Sequence, residues 1–278
     1  MSLKVDILSD LHIDFYFKKD IPITKEDVKK LYDPIFGGIA SDVLIVAGDI
    51  GHYNEQNIKV LQFIQELYYG YIVCVLGNHD YYLSSKAMNE QYQDSFHRAK
   101  ELKDELNSSN NIYCLDGNII EIEGIKFGGA MGWYSDAYLK AYYPLRHFSQ
   151  KSNNTMWKTI SQDSMFIKGI ENFDDLYHIE YPKLLEVYEK CDIMITHINP
   201  SFLDKHLDLR FTSSQSNTFF TFNGHNLLDK GSMKYWVFGH THTKIEYEFE
   251  DVKCICNPLG YPGESNYREW CSIKTIEI

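Results

Sequence analysis

An α/β fold containing both parallel and antiparallel strands is what this sequence predicts, on three observations. In the N-terminal part an apolar strand runs three times into a polar tip and then into a helical pattern, the grammar of parallel strands joined by right-handed crossovers. Further on, short strands are separated by Asp116-Gly117 and Glu123-Gly124, dipeptides that favour hairpin turns. No internal repeat or low-complexity linker divides the 278 residues, so one compact domain over 1–278 is expected, long enough for a full core.

The first strand, Leu3-Lys4-Val5-Asp6-Ile7-Leu8, alternates and ends in Ser9-Asp10-Leu11-His12. Thr24, with Glu26 and Asp27 behind it, predicts a helix over 24–31: the hydroxyl caps free amides and the acids suit the positive end of the helix dipole. The unbroken apolar run from Asp42 to Ala47 reads as a buried strand ending in Gly48-Asp49-Ile50, after which Ile58, Leu61, Phe63, Ile64 and Leu67 recur at helical spacing. A third strand, 71–76, ends in Gly77-Asn78-His79-Asp80, and a long polar helix is expected over about 85–106. Strands at 112–115, 119–122 and 125–129 predict a β-meander. From Trp133 to about Asn172 the chain is aromatic and without clean periodicity, which predicts a functional cap insertion over about 133–172. A helix over about 175–190, broken or started near Pro182, leads to a strand at 192–195 that ends in Thr196-His197. After a Ser/Thr/Phe-rich loop at 210–224, the strand 235–238 ends in Gly239-His240-Thr241-His242. Strands at 245–249 and 252–256 meet at Glu250-Asp251, the turn-rich segment 257–263 follows, and a terminal strand lies near 272–276.

Hydrophobic and charged fractions of 44% and 24% are those of a soluble globular protein. A net charge of −12 and a pI near 5.3 weigh against bulk attraction to nucleic acid or to an anionic membrane, while leaving a local site free to bind an anion. No apolar run reaches the roughly 20 residues of a membrane span, and the N-terminus lacks the pattern of a signal peptide, so a cytoplasmic location is expected. The six cysteines (Cys74, Cys114, Cys191, Cys254, Cys256, Cys271) form no C-x-x-C pair and read as buried free thiols of a reducing compartment.

Five predicted strands end in metal-ligand residue types: Asp10 and His12, Asp49, Asn78 and His79, His197, and His240 with His242. Taken singly, each has an ordinary explanation as a cap, a turn residue or a core histidine, and Gly77-Asn78-His79-Asp80 is as much a strand-to-helix turn as a site. Taken together they point to metal, because strand ends converge at one edge of an α/β sheet and five of the eleven histidines sit on them. Mixed oxygen and imidazole donors suit manganese, iron or zinc better than calcium or a thiolate-selected metal.

The ordered blocks Asp-x-His, Gly-Asp, Gly-Asn-His-Asp, a lone strand-end His and Gly-His-Thr-His resemble those of the calcineurin-like metallophosphoesterases, over nearly the whole chain from Asp10 to about Gly260. The resemblance implies a four-layer αββα sandwich, two mixed sheets face to face with helices outside. It further implies two metal ions, one held by Asp10, His12, Asp49 and His242, the other by Asp49 as a shared bridge with Asn78, His197 and His240. Two such ions about 3.5–4 Å apart lower the pKa of a shared water to make a bound hydroxide and clamp the attacking and leaving oxygens of a phosphate ester. Two carboxylates against two divalent cations leave the pocket positive inside an acidic protein, and neutral Asn78 preserves that excess. By the same resemblance His79 protonates the leaving oxygen, with Asp80 orienting it and raising its pKa.

Small bacterial phosphoesterases are the nearest-looking relatives, and a similar Asn-Pro-x-Gly-Tyr segment follows Gly-His-Thr-His in them; here Asn257-Pro258-Leu259-Gly260-Tyr261 reads equally as a plain turn. His52, His97, His147, His178, His206 and His225 match no ligand block and read as surface or packing residues, with His52 near enough to Asp49 to matter. The aromatics of 133–166 read as cap packing; lining the pocket instead, they would favour a flat or apolar leaving group. The partner expected is a small phosphorylated substrate, monoester or diester. The rival class is a metal-binding scaffold of the same fold that acts through protein partners; its mark would be missing ligands or a missing His79, and neither is seen. A metallo-β-lactamase-like hydrolase would need His-x-His-x-Asp-His, whereas His240-Thr241-His242 is followed by Thr243-Lys244.

Overall fold

The computed structural model describes residues 2–37, 41–264 and 272–278. In the first of two mixed sheets, β1 (Lys4–Leu8), β2 (Val43–Ala47), β3 (Tyr71–Val75) and β4 (Ile112–Cys114) run parallel in that order, with β11 (Lys274–Glu277) antiparallel on the free side of β1. The second sheet holds β5 (Asn118–Ile122), β6 (Ile125–Gly129), β7 (Ile193–Ile195), β8 (Tyr235–Phe238), β9 (Ile245–Phe249) and β10 (Val252–Cys256) in the order β5-β6-β7-β8-β10-β9. Strands β6, β7, β8 and β10 are parallel, and hairpins close both edges.

Successive strand residues face opposite ways, and both sheets use that alternation to bury two layers. Val5, Ile7, Val43, Ile45, Val73 and Val75 of the first sheet pack with Phe127, Ile193, Ile195, Val237 and Ile255 of the second, a core between the sheets. The alternate residues Leu44, Val46, Ile72 and Cys74, with Met194, Trp236 and Phe238, belong to an outer layer. There they meet apolar residues of α2 (Lys25–Phe36), α3 (Asn54–Tyr68), α5 (Ser95–Ser108) and α9 (Asp175–Val187), completing the αββα arrangement. At the tip of β1 the sheets are stitched: Ser9 N donates to Asn257 O, Leu259 N to Ser9 O, and Gly260 N to Asp10 O.

Several elements differ from expectation. The predicted meander is split, since β4 pairs with β3 while β5 and β6 form a hairpin in the other sheet. Of the two predicted dipeptides, Glu123-Gly124 alone makes a hairpin turn, both residues having positive φ; Asp116-Gly117 carries the chain between sheets, its carboxylate held by Lys103 and Lys183. The long polar helix is two, α4 (Lys86–Gln91) and α5, because the Asp94 carboxylate accepts from His97 N and starts a new helix where no Pro or Gly marks a break. The helix begun at Thr24 continues past Pro34 to Phe36, and α9 runs through Pro182 without a break. The stretch 133–172 is largely helical: α6 (Ala137–Tyr142), α7 (Gln150–Ile160) and α8 (Asp163–Phe166). Its aromatics Trp133, Tyr134, Tyr138 and Trp157 are buried, so they pack rather than line an opening. The short α1 (Ile13–Tyr16) and α10 (His225–Lys230) complete the α-helices of the described residues. Five cysteines are buried and free, as expected; Cys271 lies outside the described residues. Among the described residues no helix is long and apolar enough to cross a membrane.

Candidate metal centre

The tips of β1, β2, β3, β7 and β8 bring the seven expected ligands together. Asp10, His12, Asp49, His240 and His242 all have positive φ, between 43° and 71°. For residues with a Cβ this left-handed conformation costs about 1–2 kcal/mol each, and such strain persists only where the surroundings over-determine it. Here the surroundings are hydrogen bonds between tips: Asp10 N donates to Gly48 O at 3.0 Å, His12 N to Asp49 O at 3.0 Å, and His240 N to Asp10 Oδ1 at 2.9 Å. Two glycines make the approach possible. A Cβ on Gly77 would overlap the Asp49 carboxylate and amide, and one on Gly48 would overlap the His197 ring.

The ligand atoms fall into two groups that share Asp49, one with Asp10, His12 and His242, the other with His197 and His240. In the first, His12 Nε2 lies 2.9 Å from His242 Nε2 and 3.7 Å from Asp49 Oδ2, and His242 Nε2 lies 3.6 Å from Asp10 Oδ1. In the second, His197 Nε2 is 3.3 Å from Asp49 Oδ1 and 3.0 Å from Asn78 Oδ1. Each oxygen of Asp49 therefore faces a different group, the geometry of a bridge.

The partners of the outer ring nitrogens assign the tautomers. His197 Nδ1 donates to Ala47 O at 2.9 Å, His240 Nε2 to Phe219 O at 3.0 Å, and His242 Nδ1 to Glu264 Oε2 at 2.7 Å. Burial pulls His240 down to about 4, so at neutral pH its Nδ1 bears a lone pair 3.1 Å from the oxygen of Asn78. Two acceptors that close repel unless a cation lies between them, and this donor set of oxygen and imidazole fits cations such as manganese, iron or zinc. Burial likewise lowers His12 well below the ordinary histidine value and raises Asp10. Burial works against the charge on Asp49, but His197, His79 and His12 outweigh it and hold that carboxyl well below the usual range. His197 is the counterpart: burial opposes its charge, yet Asp49 raises it to about 9.

His79 sits beside this cluster, its Nε2 3.9 Å from Asp49 Oδ2 and 3.2 Å from the Tyr261 hydroxyl. Asp80 does not orient it. The Asp80 carboxylate instead accepts from the backbone N–H groups of Gly77, Gly51 and Ile50 at 2.8, 3.1 and 3.2 Å, and so locks two strand tips together. The partner of His79 is His52, whose Nε2 lies 2.9 Å from His79 Nδ1; Asp14 Oδ2 in turn lies 2.9 Å from His52 Nδ1. With Asp14 accepting from His52, and His52 from His79, the Nε2 of His79 is left as the edge turned to the site. Burial takes His79 down to about 4, with Asp49 opposing, rather than up as Asp80 was expected to take it. Behind it, fully buried Arg98 donates to the carbonyls of His79, Gly51 and Tyr82 at 2.8, 2.8 and 3.2 Å.

The cluster forms the floor of a half-open cleft of about 1070 Å³, walled by Ile160, Phe211, Phe219, Phe220 and Tyr261, with Arg210 and Lys244 also lining it. Arg210 is engaged by Asp208 and Thr243. The segment from Asn257 is more than a turn. Asn257 Nδ2 donates to Ile7 O at 2.9 Å, and the stitched backbone carries the Tyr261 ring to 4.4 Å from that of His12.

Four side chains at the site escaped the sequence reading as partners. His52 and Asp14 had a signal, lying three residues after Asp49 and two after His12. Arg98, within α5, and Asp163, at the start of α8, had none, because only the fold brings them to His79 and Asn78. The remaining histidines include His206 and His225, which share the buried Ser201 hydroxyl in aromatic packing, as a packing role implies.

Known proteins resemble this chain in sequence or in fold. An uncharacterised protein of Acanthamoeba polyphaga mimivirus, L509, is 26% identical over 273 residues, covering 93% of this chain and 91% of its own length. The phosphopantetheinyl hydrolase of Mycobacterium tuberculosis superposes with a TM-score of 0.65 at 14% identity over 99% of this chain and 96% of that one, a likeness of fold. The family model for calcineurin-like phosphoesterases matches residues 3–244, a span that takes in every strand tip from Asp10 to His242, and this chain belongs to that family.

Proposed function

We propose that this protein is a metal-dependent phosphoesterase, in which Asp10, His12, Asp49 and His242 hold one cation and Asp49, Asn78, His197 and His240 a second. The observation that carries the reading is the acceptor pair Asn78 Oδ1 and His240 Nδ1, 3.1 Å apart, beside an Asp49 whose two oxygens face different ligand groups. When bound, such a cation pair cancels phosphate charge and supplies hydroxide near neutral pH. The chain's own residues do the rest. Asp10 and Asp49 together carry too little negative charge to neutralise two divalent ions, so the floor of the cleft attracts an anion. His52 and Asp14 keep the proton of neutral His79 on Nδ1 and leave its Nε2 as a bare acceptor facing that floor; we assign Nε2 as the atom that takes up a proton from water and hands it to the leaving oxygen.

Ile160, Phe211, Phe219 and Phe220 support a small phosphorylated substrate whose leaving group is apolar or flat. Intact ligand blocks and a placed His79 favour this enzyme over a scaffold of the same fold. The five free buried thiols agree with a cytoplasmic location.

The test is metal analysis combined with hydrolysis of p-nitrophenyl phosphate, its bis-ester and a phosphopantetheinyl ester, supplying manganese, iron or zinc in turn. Turnover of one of them that follows metal loading is expected. A fully loaded protein inert toward all three would favour the scaffold.

A further inference from the structure

We infer that Asp163, contributed by the inserted helices and not by either sheet, sets the orientation of Asn78 and thereby the strength of the second cation position. The inference rests on the metal-centre reading above. Asp163 is 2% exposed and accepts four hydrogen bonds: Oδ1 from Asn78 Nδ2 at 2.8 Å and Tyr82 Oη at 2.6 Å, Oδ2 from Tyr134 Oη and Ser161 Oγ at 2.8 Å each. Four bonds fill a carboxylate's acceptor capacity, and all four donors are neutral. Trp157 Nε1 donates to Tyr134 Oη at 2.6 Å, so the carboxylate is held by the insertion's own buried aromatics.

The consequence for Asn78 is directional. An amide can present either its oxygen or its nitrogen to a metal, and only the oxygen is a ligand. With Nδ2 donating to a charged acceptor, the flipped amide would set Oδ1 against a carboxylate, so the ligand orientation is fixed before any cation arrives. The same bond draws electron density toward Oδ1, and the Asp163 charge lies one amide away from the cation position without occupying a place on it. Such outer partners of metal ligands typically change metal affinity by about 10–100-fold. Asp163 is therefore a positioning residue, and it ties the insertion to the metal centre.

The experiment titrates the full-length, metal-stripped protein with Mn²⁺ or Zn²⁺ by calorimetry and measures bound metal by mass spectrometry. Wild type should bind two ions; binding none would overturn the metal-centre reading itself. Given two, Asp163→Ala should keep one tight ion and bind the other at least about tenfold more weakly. Tyr134→Phe, which removes a hydrogen bond from the same carboxylate but not the one to Asn78, should stay within about threefold of wild type, a control for altered packing. Should Asp163→Ala fail to fold, the near-isosteric Asp163→Asn decides: it keeps an oxygen for Asn78 but lacks the charge, and a weaker second ion is expected. Two ions at unchanged affinity in the folded Asp163 variants would overturn the inference while leaving the metal centre standing.

Discussion

A proton on His197 holds the place that a cation is expected to take, and this makes metal uptake pH-dependent in a calculable way. His197 Nδ1 is committed to Ala47 O, so its second proton sits on Nε2, between Asn78 Oδ1 at 3.0 Å and Asp49 Oδ1 at 3.3 Å. Those two acceptors bind the proton for the reason they would bind a metal, and Asp49 raises the group to about 9 against the cost of burial. The sign follows. Below a pH of about 9 the metal-free site holds a proton that a ligating Nε2 must release, so apparent affinity at this position rises with pH and levels off above 9. At pH 7 the gap of about two units corresponds to roughly 100-fold weaker binding than the plateau, or about 2.7 kcal/mol. Calorimetry of the metal-stripped protein in buffers of different ionisation enthalpy counts the protons released. About one proton should leave with the ion bound by His197, and affinity should rise about tenfold per pH unit between 7 and 8. His242, also raised, by Glu264 and Asp10 against burial, adds release at the other position. Affinity that is flat from pH 7 to 9 with no proton released would refute the assignment of Nε2 as the ligand atom.

Other perturbations read different parts of the site. His79→Ala should keep both ions and lose most turnover on esters with poor leaving groups, about 10²–10⁴-fold, with much smaller loss on p-nitrophenyl esters; parallel kcat measurements on the two kinds of ester check it. His52→Ala frees His79 Nδ1, and should lower kcat on poor leaving groups while leaving metal content unchanged by mass spectrometry. Gly77→Ala forces a Cβ into the Asp49 carboxylate and should cost bound metal even where circular dichroism shows a folded protein. Arg98→Met takes the donor from three buried carbonyls, and chemical denaturation should show a loss of about 1–3 kcal/mol for each carbonyl left unsatisfied.

Sequence alone reached as far as its patterns are local. The strand tips were legible because each combines a continuous apolar run with abrupt polar residues, and convergence at one edge follows from parallel topology. The sheet assignment of β4 was not: Asp116-Gly117 has the chemistry of a hairpin, and what carries the chain to the other sheet is the pair Lys103 and Lys183 closing on Asp116, one of them 67 residues away. The stretch 133–172 looked irregular because its helices are short and buried aromatics such as Tyr134 and Trp157 join a polar network as well as the core, so no long apolar stripe repeats. The Asp80 expectation failed for a related reason. Adjacent residues at a tight turn point apart, so the carboxylate next to His79 in sequence faces backbone amides while the imidazole meets His52 from another tip.

The stitched seam between the sheets gives the ligand set a second meaning. Asp10, His12, Asp49 and Asn78 follow strands of the first sheet, His197, His240 and His242 strands of the second, so each cation position draws donors from both. Two bound cations would then be a rivet through the sandwich. They would stabilise the folded chain by mass action, each by about 2.7 kcal/mol at an ion concentration 100 times its dissociation constant. A substitution deep in the inter-sheet core, at Val73 or Val237, that slides one sheet against the other would register first as weakened metal, well before the chain unfolds.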